Sequence, residues 1–101
     1  MPAITLNSRI TIPEDVLTRE LDGELVLLHL GNERYYGLDD MGTRFWSALE
    51  ATARERQPLA SAHAELAAAF DVHPEQLATD LLELIESLAA EQIVSVEAIE
   101  S

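Results

Sequence analysis

Cysteine is absent from this chain, and its absence excludes disulfide bonds, thiolate metal sites and a cysteine nucleophile together. A chain without cysteine suits a reducing compartment, so we expect a cytoplasmic protein. No basic segment followed by an apolar run stands near the N-terminus, and no apolar stretch approaches the ~20 residues that a membrane-spanning helix requires. We therefore expect no membrane partner.

Cationic residues are scarce as well. Six lysine plus arginine residues stand against nineteen aspartate plus glutamate residues, which gives a formal net charge of -13. A field of this sign repels phosphate backbones and anionic lipid headgroups, so we expect no nucleic-acid partner. The acids are spread along the chain, which indicates a solvated surface or, as a sharper hypothesis, a surface that attracts a basic or amphipathic partner.

Catalytic and metal-binding motifs are missing too. His29, His63 and His73 have no i, i+4 spacing, and the chain contains no GxSxG, GxxxxGK[ST] or GxGxxG motif. The paired carboxylates Asp39-Asp40 stand where a helix cap is needed, and capping is the stronger interpretation. We expect no enzyme, no metal and no cofactor.

What the chain does contain is enough apolar material for one core. Of its 101 residues, 48% are hydrophobic and 25% are charged, which are ordinary values for a single globular domain. We therefore predict one domain over residues 1–101.

The front of the chain is β-rich. Residues 16–21 and 24–30 are separated by Asp22-Gly23, a dipeptide typical of a type I′ hairpin turn. The sequence RYYGL at residues 34–38 predicts a third strand at the edge of a meander, with Tyr35 on the opposite face from its neighbours Tyr36 and Leu38. Residues 4–12 also alternate between apolar and polar types, and they fit either an extra strand or an arm.

The back of the chain is helical. Apolar residues recur every four positions from Met41, after a cap at Asp39 or Asp40, and predict a first helix. A second helix is predicted over residues 59–70 and a third from Pro74 to about Glu91, with a short strand over residues 93–96. The apolar stripe of the third helix contains Leu77, Leu81, Leu84 and Leu88.

An open strand edge beside a long apolar helix can hold an extended peptide as an added strand, because unpaired N–H and C=O groups at the edge need partners. A dimerising or adaptor domain would use the same edge without a peptide. The tyrosines and leucines would then be ordinary sheet and core residues.

Four stretches of the sequence carry a family resemblance. They are DGELVLL at residues 22–28, YYGLDDMGTRFW at residues 35–46, the helix start FDVHPE at residues 70–75, and DLLELI at residues 80–85 with Leu88 after it. Together they resemble the PqqD-like family, also called RiPP precursor recognition elements, over roughly residues 16–94. The resemblance implies an α+β fold of winged helix-turn-helix type, with a three-stranded antiparallel sheet followed by three helices and no catalytic activity of its own.

The resemblance also implies a function. Family members bind the leader of a ribosomally synthesised precursor peptide as a strand between the third strand and the third helix. The corresponding positions here are Arg34, Tyr35, Tyr36 and Leu38 on the strand, and Leu77, Asp80, Leu81 and Leu84 on the helix. From their positions, Arg34 is a candidate to pair with a leader acid and Asp80 with a leader base.

The sequence of residues 35–46 is most similar to that of the freestanding split protein of lasso peptide systems, which delivers the precursor to a separate leader peptidase. Alternatives within the family are a chaperone for a radical enzyme, as in pyrroloquinoline quinone synthesis, and modules of sactipeptide or lanthipeptide pathways. A winged-helix DNA regulator ranks behind them, because the third helix carries acids and no lysine or arginine. Residues 4–12 and 96–101 fall outside the resemblance and are candidates for a dimer or enzyme contact.

Overall fold

The computed structural model describes residues 4–97. Within that range a three-stranded antiparallel sheet precedes three helices, as predicted, and a second sheet of two short strands joins the two ends. The elements in chain order are β1 (Arg9–Thr11), β2 (Val16–Leu21), β3 (Glu24–His29), β4 (Arg34–Leu38), α1 (Asp40–Arg54), α2 (Leu59–Ala69), α3 (Pro74–Ala90) and β5 (Ser95–Glu97). The larger sheet has the order β2-β3-β4, and β1 pairs with β5.

The turn between β2 and β3 has the predicted geometry. Asp22 and Gly23 have φ values of 52° and 83°, and a type I′ turn needs a positive φ at both central residues. Leu21 and Glu24 face each other across the turn and start an unbroken antiparallel register. The register of the whole sheet is therefore set at this turn.

Two of the helices begin at side-chain caps. The Asp39 carboxylate accepts a hydrogen bond from the Gly42 amide at 2.7 Å, which confirms the predicted cap of α1. At the start of α3, Nδ1 of His73 accepts from the Glu75 amide at 3.2 Å, and Pro74 occupies the first helical turn, where no amide hydrogen is needed. No helix within residues 4–97 is long and apolar enough to cross a membrane.

The core lies between one face of the β2-β3-β4 sheet and the helices. Leu27 from β3 and Trp46 from α1 are among its fully buried side chains. The buried stripe of α3 consists of Leu77, Leu81, Ile85 and Leu88. Leu84, predicted on this stripe, is half-buried at its margin because 3.6 residues per turn bring Ile85 inward instead. Met41, predicted on the apolar stripe of α1, is 43% exposed.

Residues 4–12, whose structure the sequence left open, join the core and cap a helix. The carbonyl oxygens of Ser8 and Leu6 accept hydrogen bonds of 2.8 Å from the amides of Leu59 and Ala60 at the start of α2, which has no side-chain cap. Ile10 on β1 is only 4% exposed. Residues 96 and 97 of the C-terminal tail belong to β5, and residues 98–101 lie outside the described range.

The burial of Ile10 gives a test of whether this segment belongs to the cooperative fold. Ile10→Ala removes buried aliphatic volume and leaves a cavity, so we expect a loss of about 2–5 kcal/mol in the free energy of unfolding. Thr11→Ala, at the exposed neighbouring position of the same strand, is the control and should change that free energy by less than about 0.5 kcal/mol. Urea denaturation followed by circular dichroism measures both. Equal, small effects would mean that residues 4–12 only rest on the domain.

Candidate functional site

The directions of the main-chain groups in the sheet follow from the hairpin turn. In an antiparallel pair, opposed residues alternate between exchanging two hydrogen bonds and exchanging none. Leu21 and Glu24 close a two-residue turn and therefore form a bonded pair. At the far end of the hairpin the Leu30 amide donates to the Asp15 carbonyl at 2.9 Å, as the same alternation requires. The main chain of every second residue of β3 accordingly points away from β2 and towards β4.

On β4 this alternation leaves two residues without a partner. The β3 residues that point towards β4 are opposed by Arg34, Tyr36 and Leu38, whose main chains complete the ladder. Tyr35 and Gly37 therefore direct their N–H and C=O groups to the open side of the sheet. No turn or loop within residues 4–97 supplies a main-chain hydrogen bond to these groups. The edge of β4 thus offers two donors and two acceptors to an added strand.

The side chains of β4 divide as the sequence predicts. Leu38 is buried and Tyr36 is half-buried on the inner face, whereas Tyr35 is 72% exposed on the outer face. A Cβ atom built on Gly37 would meet nothing within 4 Å. The packing of the chain therefore does not require glycine there, and glycine inside a strand often marks a place where another backbone approaches closely.

The C-terminal end of α3 contacts β4 and the turn before it. Asp80, Leu84, Ser87 and Glu91 follow one another at intervals of four, three and four residues, which places them on a single stripe beside the buried one. At the end of this stripe the Glu91 carboxylate is 2.7 Å from Nη1 of Arg34, the first residue of β4. Glu91 contacts β4 through this ion pair, and we take all four residues as the candidate helical wall of a slot between β4 and α3.

The end of the slot next to Arg34 is fastened by a second residue. Asn32, in the turn before β4, donates from Nδ2 to the Glu91 carbonyl at 3.4 Å and to Oε1 of Gln92 at 3.3 Å. Its own Oδ1 accepts from the Arg34 amide at 2.9 Å. The β3–β4 turn is thus held against the C-terminal end of α3 independently of the ion pair.

The eight predicted site residues do not all reach the surface. Arg34, Tyr35 and Asp80 are exposed, and Tyr36 and Leu84 are half-buried beside the slot. Leu38, Leu77 and Leu81 are 4%, 3% and 0% exposed and belong to the core. In this conformation those three side chains support the slot rather than line it. A role in binding stays a prediction for all eight.

Sequence reasoning missed four residues of the slot, namely Asn32, Gly37, Ser87 and Glu91. Ser87 and Glu91 could have been found by continuing the helical stripe from Asp80 and Leu84. Gly37 follows from counting outward from the hairpin turn. Nothing in the sequence pattern pointed to Asn32, whose contacts with Glu91 and Gln92 depend on the tertiary fold.

The charge of the slot is uneven. Asp80, Glu83 and Glu86 are exposed on α3, which carries no lysine or arginine. Arg34 is the one cationic residue of β4, and Glu91 already neutralises it. Within the helical wall itself, Asp80 and Glu91 are acidic whereas Leu84 and Ser87 are uncharged, so the acids stand at its two ends and the single positive charge lies at the fastened end.

Each of the three histidine side chains forms hydrogen bonds with main-chain groups. Nδ1 of His29 accepts from the amides of Gly31 and Asn32, and Nε2 of His63 donates to the Pro74 carbonyl at 2.8 Å. His73 caps α3. Within residues 4–97 no three His, Cys, Asp or Glu side chains come together in a way that could hold a metal ion.

The family described as coenzyme PQQ synthesis protein D (PqqD) matches residues 24–94. The chain belongs to the PqqD family. This membership confirms the resemblance seen in the sequence, and it covers the sheet from β3 onward together with all three helices. Residues 4–12 and β2 precede the match. The carbonyl groups that cap α2 therefore come from a part of this PqqD-family chain outside the matched region.

Two solved structures are similar to this PqqD-family chain. One is the structure of TbiB1 in complex with the TbiA(beta) leader peptide. The sequence identity is 30% and the TM-score is 0.71, and the match covers 90% of this chain and 99% of that chain. The other is the structure of lasso peptide synthetase B1 complexed with the leader peptide. The sequence identity is 16% and the TM-score is 0.69, and the match covers 86% of this chain and 98% of that chain. This likeness shows that the two chains share a fold. A search among curated proteins found no match.

The assignment of open main-chain groups can be tested with adjacent prolines. Tyr36→Pro removes a ladder donor and leaves a carbonyl of β3 unpaired, so it should unfold more easily than Tyr36→Ala by about 1–3 kcal/mol. Tyr35→Pro removes a donor that has no partner among residues 4–97, so it should differ from Tyr35→Ala by less than about 1 kcal/mol. Thermal unfolding of the four variants measures both differences. Equal penalties at the two positions would show that the alternation is assigned wrongly.

Proposed function

We propose that this chain binds the leader segment of a ribosomally synthesised precursor peptide as a strand added to β4, and presents it to a separate processing enzyme. The observation that carries the proposal is the unpaired main chain of Tyr35 and Gly37 beside the helical wall of α3. Added strands gain affinity from main-chain hydrogen bonds and specificity from alternate side chains. Both are available to a peptide in this slot.

The sheet has a second free edge, on β2, but the two edges differ. Five of the six residues of β2 are exposed, whereas β4 ends in the buried Leu38 and is joined to α3 through Arg34. A peptide on β4 would therefore lie between a strand and a helix, with a side chain on its inner face near the half-buried Tyr36 and Leu84. A peptide on β2 would have only the strand edge. We assign binding to β4 for this reason.

The pathway follows from similarity. TbiB1, whose structure holds a leader peptide, is 30% identical to this chain over nearly its whole length, and the fold is shared with a lasso peptide synthetase B1. We infer that the bound segment is the leader of a lasso peptide precursor and that the processing enzyme is a leader peptidase. The alternative within the PqqD family is a peptide chaperone that serves a radical enzyme.

The proposed role is non-catalytic and cytoplasmic. Each of the three histidines forms a hydrogen bond with a main-chain group, and within residues 4–97 no histidine is hydrogen-bonded to a serine. The processing enzyme would supply the nucleophile. A cysteine-free composition fits the reducing conditions of the cytoplasm.

Fluorescence polarisation of a labelled leader, taken from the precursor encoded beside this chain, tests the proposal. The leader should bind saturably and a scrambled version should not. Tyr35→Pro should weaken binding about 5- to 150-fold, since a main-chain donor is lost and its acceptor in the peptide is left unpaired, at a cost of about 1–3 kcal/mol. Tyr35→Ala separates the effect of the side chain.

Thr18→Pro is the matched control. Thr18 on β2 opposes Leu27 at a non-bonded position, so its amide points to the other free edge of the sheet. Its replacement should leave leader affinity unchanged. If Thr18→Pro weakened binding and Tyr35→Pro did not, the leader would bind to β2. If no variant and no wild-type protein bound any leader, the chain would be an adaptor that contacts another protein.

A further inference from the structure

Arg34 and Glu91 form the one ion pair between side chains within residues 4–97, although nineteen acids and six cationic residues are present in the chain. The two charged groups are 2.7 Å apart, and the pair joins the first residue of β4 to the C-terminal cap residue of α3. It therefore spans the fastened end of the slot. A strand that adds to the whole length of β4 must pass this contact.

The pair is not needed to hold the two elements together. Asn32 binds the main-chain carbonyl of Glu91 and the side chain of Gln92, so the turn stays attached to α3 when the Glu91 carboxylate is removed. Both charged side chains are solvent-accessible, with relative exposures of 57% for Arg34 and 36% for Glu91. Exposed pairs of this kind contribute little to stability.

Arg34 is also the one place in the slot that can attract a peptide acid. The other charged residue of the helical wall is Asp80, which repels a carboxylate. A guanidinium group matches the geometry of a carboxylate and can bind it with two parallel hydrogen bonds. A leader acid opposite Arg34 would thus replace the carboxylate of Glu91 by an equivalent group.

We propose that Glu91 occupies the place of a leader carboxylate on Arg34, so that Arg34 selects leaders with an acid at the facing position while Glu91 competes with them. This inference rests on the proposed function and adds a specificity-determining pair to it. A leader with that acid recovers the ion pair that it displaces. A leader without the acid leaves the Arg34–Glu91 pair in place.

The experiment compares Glu91→Gln with Glu83→Gln, using the labelled leader and variants in which each leader acid in turn is replaced by its amide. Both substitutions remove one negative charge from exposed or half-buried positions of α3 or its cap, but only Glu91 contacts Arg34. Glu91→Gln should tighten binding of the unmodified leader about 1.5- to 5-fold, the range expected for an exposed ion pair. Glu83→Gln should give a smaller gain, arising from the general loss of negative charge.

A double-mutant cycle then identifies the leader acid. In the Glu91→Gln protein, one of the acid-to-amide leaders should bind about 1.5- to 5-fold more weakly, and this loss should vanish when Arg34→Gln is added. Circular dichroism checks that each variant is folded. The amide leader should also show no benefit from Glu91→Gln beyond that given by Glu83→Gln.

Three results would overturn the inference. They are a leader that contains no acid, a Glu91→Gln protein that gains no more than Glu83→Gln, and a cycle in which Arg34→Gln lowers affinity equally for acidic and amide leaders. In each case saturable leader binding would still support the proposed function. Loss of all leader binding in the wild-type protein would instead overturn the proposed function and this inference together.

Discussion

The unpaired main chain of Tyr35 and Gly37 is the constraint on which the site depends, and it is determined at the opposite end of the sheet. The two-residue turn at Asp22 and Gly23 makes Leu21 and Glu24 a bonded pair. Every later pair follows by alternation. A turn with one residue more would shift the register and exchange the inner and outer faces of β3. The positive φ values of the turn thus decide which groups of β4 are offered to a partner.

An open edge persists here because the other short strands are paired elsewhere. β1 could add to a sheet edge, yet it pairs with β5, and its preceding residues cap α2 through the carbonyls of Leu6 and Ser8. The N-terminal segment is therefore committed to the helices and the C-terminal strand. β4 keeps its edge as a result, near a helix that carries several acids and no lysine or arginine. Exposed edges invite unspecific pairing, and charge next to the edge limits that pairing to strands of suitable charge.

Local chemistry made most of the fold predictable. The Asp22-Gly23 turn, the Asp39 cap and the proline at the start of α3 each act within a few residues, and all three lie where the sequence indicated. The path of residues 4–12 was not predictable, because it depends on the unsatisfied amides at the start of α2, far along the chain. The geometry of the candidate site was predictable only where local periodicity determines it. Periodicity distinguished Tyr35 from Tyr36, but it could not separate Leu81, which is fully buried, from Leu84 at the margin.

Electrostatics gives the slot a direction that its shape alone does not supply. Asp80 and Glu91 are eleven residues apart, which corresponds to roughly 16 Å along the helix axis at about 1.5 Å per residue. The Debye length at physiological salt is about 8 Å, so charges at the two ends of the slot act almost independently. A bound strand, at about 3.3 Å per residue, covers this distance with about five residues. Under the proposed function, one direction would place a leader base near Asp80 and a leader acid on Arg34, whereas the opposite direction would place the leader acid beside Asp80, where it is repelled. The net charge of -13 raises the local concentration of basic peptides without distinguishing between them. Under the proposed function, the two local charges, and not the net charge, would set the direction of the peptide.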